Sequence, residues 1–183
     1  WGVEAGRGAA NPVKGVDKLN VEADRGRVRR ALLLPELRSG VTGAKVRGVQ
    51  HYAETHRNPR LEVLRNLGRR GVERSVVYEV AAYTGLRLNE LKTLEWQHVN
   101  FGRAPATLTI AAQYAKSRRT DTILLHDSVA QRLLAWWEFR KGELGRSPGL
   151  RDRVFRISLR LTPQFKKDCE FAGVPLVDEA GRV

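Results

Sequence analysis

Three features of this 183-residue chain predict a mainly α-helical fold with a small antiparallel β-hairpin or sheet. Apolar residues recur at helical spacing at Val76, Val77, Val80, Ala81 and Tyr83, and again at Val129, Leu133, Leu134, Trp136 and Trp137. Between those stretches, Thr107–Gln113 and Asp121–Leu125 read as two strands either side of a polar turn that holds Lys116, Ser117, Arg118 and Arg119. Gly85, Gly145 and Gly173 each stand where a helical stretch should stop, and glycine suits a left-handed end.

Taken in order, Trp1–Val28 has little periodicity, several glycines and an Asn11-Pro12 turn signal, so it reads as an arm or connector. The cluster Asp24–Arg30, with Arg29 and Arg30 at its end, is either a solvated basic surface or a phosphate contact. Ala31–Leu37 predicts a short helix confined by Pro35. Gly40, Gly43 and Gly48 are irregularly spaced and follow no strand, so they do not form a dinucleotide fingerprint. His51 and His56 are one residue too far apart for a zinc-protease helix, which favours an exposed amphipathic helix.

From Val72 a helix runs to Thr84-Gly85, and a second begins near Arg87 with Leu88, Leu91 and Leu94 inward. Trp96–Pro105 reads as a loop before the hairpin. Asp127 or Ser128 is the expected cap of the next helix, which the Gly145–Gly149 stretch breaks. Thr162 and Pro163 are expected as the cap and first residue of a last helix, with Phe165, Cys169 and Ala172 on one face. Asp168 and Glu170 flank Cys169 and should raise its thiol pKa, giving the residue a structural role.

The length fits one domain, or one with a partial second. Lys plus Arg number 33 against 20 Asp plus Glu, a formal charge of +13, and arginine dominates the basic set. That surplus disfavours an acidic or disordered chain and favours a polyanionic partner, because guanidinium groups pair with phosphates bidentately. No apolar run approaches the ~18 residues of a spanning helix. One cysteine and no leader-like opening point to a reduced, cytoplasmic setting without membrane association. The chain holds no Met and opens on Trp1, so its ends are expected not to be the natural ones.

Arg87 carries the most chemical information. It follows Gly85 at the first turn of a helix, with Glu90 placed at i+3 to brace its guanidinium. Spacing alone leaves two roles open, a snorkelling surface arginine or a guanidinium aimed into a cleft. The run Thr84-Gly85-Leu86-Arg87-x-x-Glu90-Leu91-x-x-Leu94-x-Trp96 resembles the first catalytic box of the tyrosine recombinases, the phage-integrase family. The order that follows is similar too: a loop, a hairpin with a lysine at its turn, a helix, Val154-Phe155, then another helix. The likeness runs from about Arg29 to Val183 and is strongest over 72–125. His98 and Asn100 depart from it, standing where the family commonly has acidic residues, and 35–71 match poorly.

The resemblance implies the incomplete catalytic domain of a DNA breaking-rejoining enzyme. Residues 1–30 would be a connector or the end of an N-terminal core-binding domain. Residues 31–183 would be the first part of the catalytic domain, stopping before the His-x-x-Arg and Tyr motifs. It further implies metal-free phosphoryl transfer through a 3′-phosphotyrosine, without a cofactor. Arg87 would be the first of two arginines on the scissile phosphate and Lys116 the general acid for the leaving 5′-oxygen. Glu90 would support Arg87, and Arg118, Arg119, Arg29 and Arg30 would contact DNA. The partner would be double-stranded DNA at the nucleoid, with the full-length protein a homotetramer on its sites. Tyr52, Tyr78, Tyr83 and Tyr114 all precede Lys116, so none matches the nucleophile. Two other classes stay in view: a non-catalytic DNA-binding module (a decayed integrase or a regulator) and an unrelated helical interaction protein. Ser, His and Asp are too scattered for a hydrolase triad.

Overall fold

The computed structural model describes residues 31–111, 120–158 and 160–176. Among the described residues, five α-helices accompany a three-stranded antiparallel sheet of order β1-β2-β3, so the mainly helical fold with a small antiparallel element is present. The helices are α1 (Leu34–Thr55), α2 (Leu61–Thr84), α3 (Leu88–Thr93), α4 (Asp127–Leu144) and α5 (Leu161–Phe171). The strands are β1 (Val99–Asn100), β2 (Thr107–Ile110) and β3 (Asp121–Leu124). Among the described residues no helix is long and apolar enough to cross a membrane.

Helix α1 corrects the expected short helix at Ala31–Leu37. Pro35 lies in its first turn, where the absent N–H would have no intrahelical partner, so the proline opens the helix instead of confining it. Glu36 also reaches back, accepting the Leu33 backbone N–H at 2.8 Å. The buried positions of α1 are Gly40, Gly43 and Ala44, a face that brings backbones together instead of side chains. A Cβ on Gly71 of α2 would stand 2.5 Å from the Lys45 carbonyl oxygen and 2.7 Å from that of Ala44. A Cβ on Gly43 would stand 2.7 Å from the Asp168 carbonyl oxygen. Alanine at either site would have to push two helices apart, an overpacking cost of about 1–3 kcal/mol. His51 and His56 lie at the exposed end of α1, where the His56 ring packs against Tyr52 at 4.0 Å.

Val76, Val77 and Val80 bury the expected stripe of α2, which begins well before Val72, and Tyr78 joins them. Tyr83 does not. It is 41% exposed, its ring 5.5 Å from that of His126. Gly85 ends α2 at φ +67° and donates its N–H to Ala81, a left-handed stop that a side chain would strain. In α3, Leu91 is buried and Leu88 half-buried, and Leu94 just beyond it is buried.

The stretch read as a loop, Trp96–Pro105, contains a 3-10 turn at Trp96–His98 and then β1, whose Val99 pairs with Leu108. Two residues are too few to show a period, and pairing decides this strand. The expected hairpin arms appear as β2 and β3, with Leu108 opposite Ile123 and Ile110 opposite Asp121. His126 caps α4, its Nδ1 accepting the Ser128 N–H at 3.2 Å, in place of Asp127 or Ser128. Val129, Leu133 and Trp136 face inward, but Leu134 is exposed. The Trp136 indole donates to the Val154 carbonyl at 2.8 Å, anchoring Val154-Phe155 in the core. The α5 helix starts before Thr162, with Arg160 as its cap, so Pro163 lies inside the first turn.

Candidate phosphate and nucleic-acid site

Arg87 is the residue before the first turn of α3, in extended conformation at φ −71° and ψ 155°. Three neighbours hold it there. Gly85 turns the chain out of α2, Leu86 is buried beneath it, and Thr84 Oγ lies 3.4 Å from the Leu86 N–H while donating to the Val80 carbonyl at 2.6 Å. Glu90 supplies the remaining constraint. Its carboxylate accepts the Arg87 backbone N–H at 2.7 Å through one oxygen, while the other lies 3.4 Å from the guanidinium Nη1. The Glu90 side chain is 6% exposed, whereas that of Arg87 is 63% exposed. A buried carboxylate therefore caps a short helix and fixes the root of a guanidinium whose other N–H groups face solvent. Such a fork, held at a rigid helix start, is suited to the oxygens of an incoming phosphate.

The hairpin reaches the same place. Thr109, Ile110 and Ala111 line a small cavity with Leu86, Glu90 and His98, so the outgoing end of β2 lies beside the carboxylate that braces Arg87. Lys116, Arg118 and Arg119 lie outside the described residues, as do Arg29 and Arg30. Among the site residues expected from the sequence, the structure thus brings together Arg87 and Glu90. No group of three or more potential metal ligands occurs among the described residues.

A second charged centre was not anticipated. Asp168, fully buried on α5, accepts from Arg47 Nε at 2.6 Å, Arg74 Nε at 2.9 Å and the Tyr78 hydroxyl at 2.8 Å. It joins α1, α2 and α5 at one point. A signal for it existed: Phe165, Asp168, Cys169 and Ala172 share one helical face, placing a carboxylate in the middle of an apolar stripe. A buried carboxylate needs hydrogen-bonded partners, and two distant arginines supply them.

The same neighbourhood raises two proton affinities. Burial, then the Asp168 carboxylate, push the Tyr78 phenol well above its usual range. Burial first and Asp168 second push the Cys169 thiol up to about 11, so desolvation outweighs the flanking charges expected to act. Both groups hold their protons more tightly folded than unfolded. Their contribution to stability is therefore complete below the unfolded pKa and lost as pH rises, from about 9 for Cys169 and about 10 for Tyr78. Urea unfolding between pH 8 and 11 should show stability falling by up to about 1.4 kcal/mol per pH unit for each group. The onset should move to higher pH in Cys169→Ala. A flat profile would contradict this assignment.

No protein-family model, curated protein or solved structure matches the chain.

Proposed function

We propose that this chain is the first part of the catalytic domain of a phage-integrase-type tyrosine recombinase, a metal-free enzyme of site-specific DNA recombination or integration. The observation that carries the reading is the Arg87–Glu90 arrangement: an exposed guanidinium fixed by a buried carboxylate at the start of α3. Breaking a phosphodiester without metal needs cations at the non-bridging oxygens, a proton donor for the departing 5′-oxygen and a protein nucleophile. In this reading Arg87 holds a non-bridging oxygen and Glu90 keeps it aimed. Lys116 protonates the leaving oxygen. It follows β2 by six residues, and Ala111, just after that strand, lines one cavity with Glu90. Arg118, Arg119, Arg29 and Arg30 would grip the duplex backbone. A tyrosine of the parent protein attacks phosphorus, the 3′-phosphotyrosine conserves the bond energy, and the free 5′-hydroxyl of another strand reverses the step. Tyr78 is not that nucleophile, because its hydroxyl is buried on Asp168.

The +13 charge also favours a second reading, a module that binds DNA without chemistry. A nicked suicide duplex tests the first. The parent protein, carrying a His-x-x-Arg motif and a tyrosine downstream, should give a covalent protein–DNA band that survives denaturation. The 183-residue chain alone should bind the duplex weakly and give none. A covalent band from the chain alone, or none from such a parent, would overturn the assignment.

A further inference from the structure

A separate pocket of about 480 Å³ opens between the middle of α2, residues 156–158 and the start of α5. It contains neither Arg87 nor Glu90. From Arg74, at its edge, to Gly85 is about 16 Å along the α2 axis at 1.5 Å per residue. Arg69, Arg70, Arg74 and Arg156 line it, with Glu73 as the lone carboxylate. Two of the four arginines are already engaged. Arg74 pairs with Asp168 at 2.9 Å, and Arg69 lies between Glu73 at 3.7 Å and Glu143 at 3.5 Å. Arg70 and Arg156 have exposed side chains with no ion-pair partner among the described residues. Glu73 is buried and accepts the Arg156 backbone N–H, which fixes the 156–158 segment against α2. Leu67, Ile157 and Leu161 give the pocket an apolar wall.

We propose that this pocket binds a small organic phosphomonoester, its phosphate between Arg70 and Arg156 and its organic part against Leu67, Ile157 and Leu161. Two guanidinium groups without an ion pair among the described residues suit a dianion, and their planar forks match phosphate oxygens. The volume falls within the roughly 300–1,000 Å³ of small-molecule sites and leaves room for far more than a phosphate. Guanidinium planes also stack on flat rings, so a nucleoside 5′-monophosphate fits both halves. Such a group reaches the pocket either as a free nucleotide or as the 5′-phosphate of a DNA end. The inference does not rest on the recombinase reading, since the two sites share no residue.

Isothermal titration of the 183-residue chain with AMP, adenosine, inorganic phosphate and a short duplex with or without a 5′-phosphate tests the proposal. AMP should bind at one saturable site, tighter than phosphate, and adenosine should not compete. Competition with AMP by the 5′-phosphorylated duplex alone would identify a DNA end as a source; competition by neither duplex would leave the free nucleotide. Arg70→Gln and Arg156→Gln, both at exposed positions, should each weaken AMP by about tenfold or more, the loss of a charge-assisted hydrogen bond. Glu73→Gln keeps an acceptor for the Arg156 N–H and removes the one carboxylate that lines the pocket, so it should tighten AMP binding severalfold. Arg38→Gln, on an exposed arginine of α1 outside the pocket, should leave it unchanged. No saturable AMP binding, adenosine binding as tightly as AMP, or unaltered affinity in both arginine variants would overturn the proposal.

Discussion

Asp168→Ala is expected to lower the unfolding free energy by about 3–5 kcal/mol, because it leaves two arginines beside a vacated buried site. The carboxylate holds Arg47 at 2.6 Å, Arg74 at 2.9 Å and the Tyr78 hydroxyl at 2.8 Å, one group from α1 and two from α2. Removing it unpairs all three donors at once. Asp168→Asn retains an acceptor oxygen but no charge, so it should fall between wild type and Ala. Arg47→Met should cost less than either, since Asp168 then keeps Arg74 and Tyr78. Urea unfolding followed by circular dichroism ranks the series. An Ala variant as stable as wild type would mean that the three donors find water as readily as they find Asp168.

Arg87→Gln is the other large effect, and its size depends on chemistry instead of folding. On the proposed recombinase reading, it should slow covalent protein–DNA formation by a protein carrying the downstream motifs about 10²–10³-fold, equivalent to about 2.7–4 kcal/mol, by analogy with the loss of one oxyanion donor. Duplex affinity should fall far less, because one guanidinium among many basic groups contributes little to the total electrostatic attraction. Glu90→Gln should slow the same step by a smaller factor, as it can still accept the Arg87 N–H while losing the charge that aims the guanidinium. Single-turnover cleavage of a suicide duplex, measured beside filter binding, separates the two quantities. A non-catalytic binder would show a graded loss of affinity on removal of each arginine and no rate to lose.

Several elements were legible because their determinants are local. The Val76-Val77-Val80 stripe, the Gly85 stop, the Val129-Leu133-Trp136 face and the two arms of the hairpin each declare themselves within a few residues. So does the Arg87–Glu90 pair, a spacing of three at a helix start. Helix α1 was not legible to the same degree. Its inner face is Gly40, Gly43 and Ala44, which carry no apolar period, and Pro35 resembles a breaker until its place in the first turn is known. Tyr83 and Leu134 fit their stripes by spacing and are nonetheless exposed, because no described element covers those positions. Asp168 meets Arg74 across 94 residues and Arg47 across 121, and no pattern in a short window reports such a meeting. The pocket on α2 is hidden for the same reason, since Arg70 and Arg156 belong to separate stretches of chain.

The separation between Arg47 and Asp168 also sets a timetable for synthesis. At roughly 5–20 residues per second, the ribosome needs about 6–24 s after making α1 to reach its carboxylate partner. During that interval α1 and α2 can dock backbone to backbone, but the glycine face awaiting α5 stays open to water. Contacts of such long range close late and slowly, because the intervening chain must first be ordered. Helix α5 is therefore a clasp on the α1–α2 pair, and Asp168 cannot join the two arginines until it emerges.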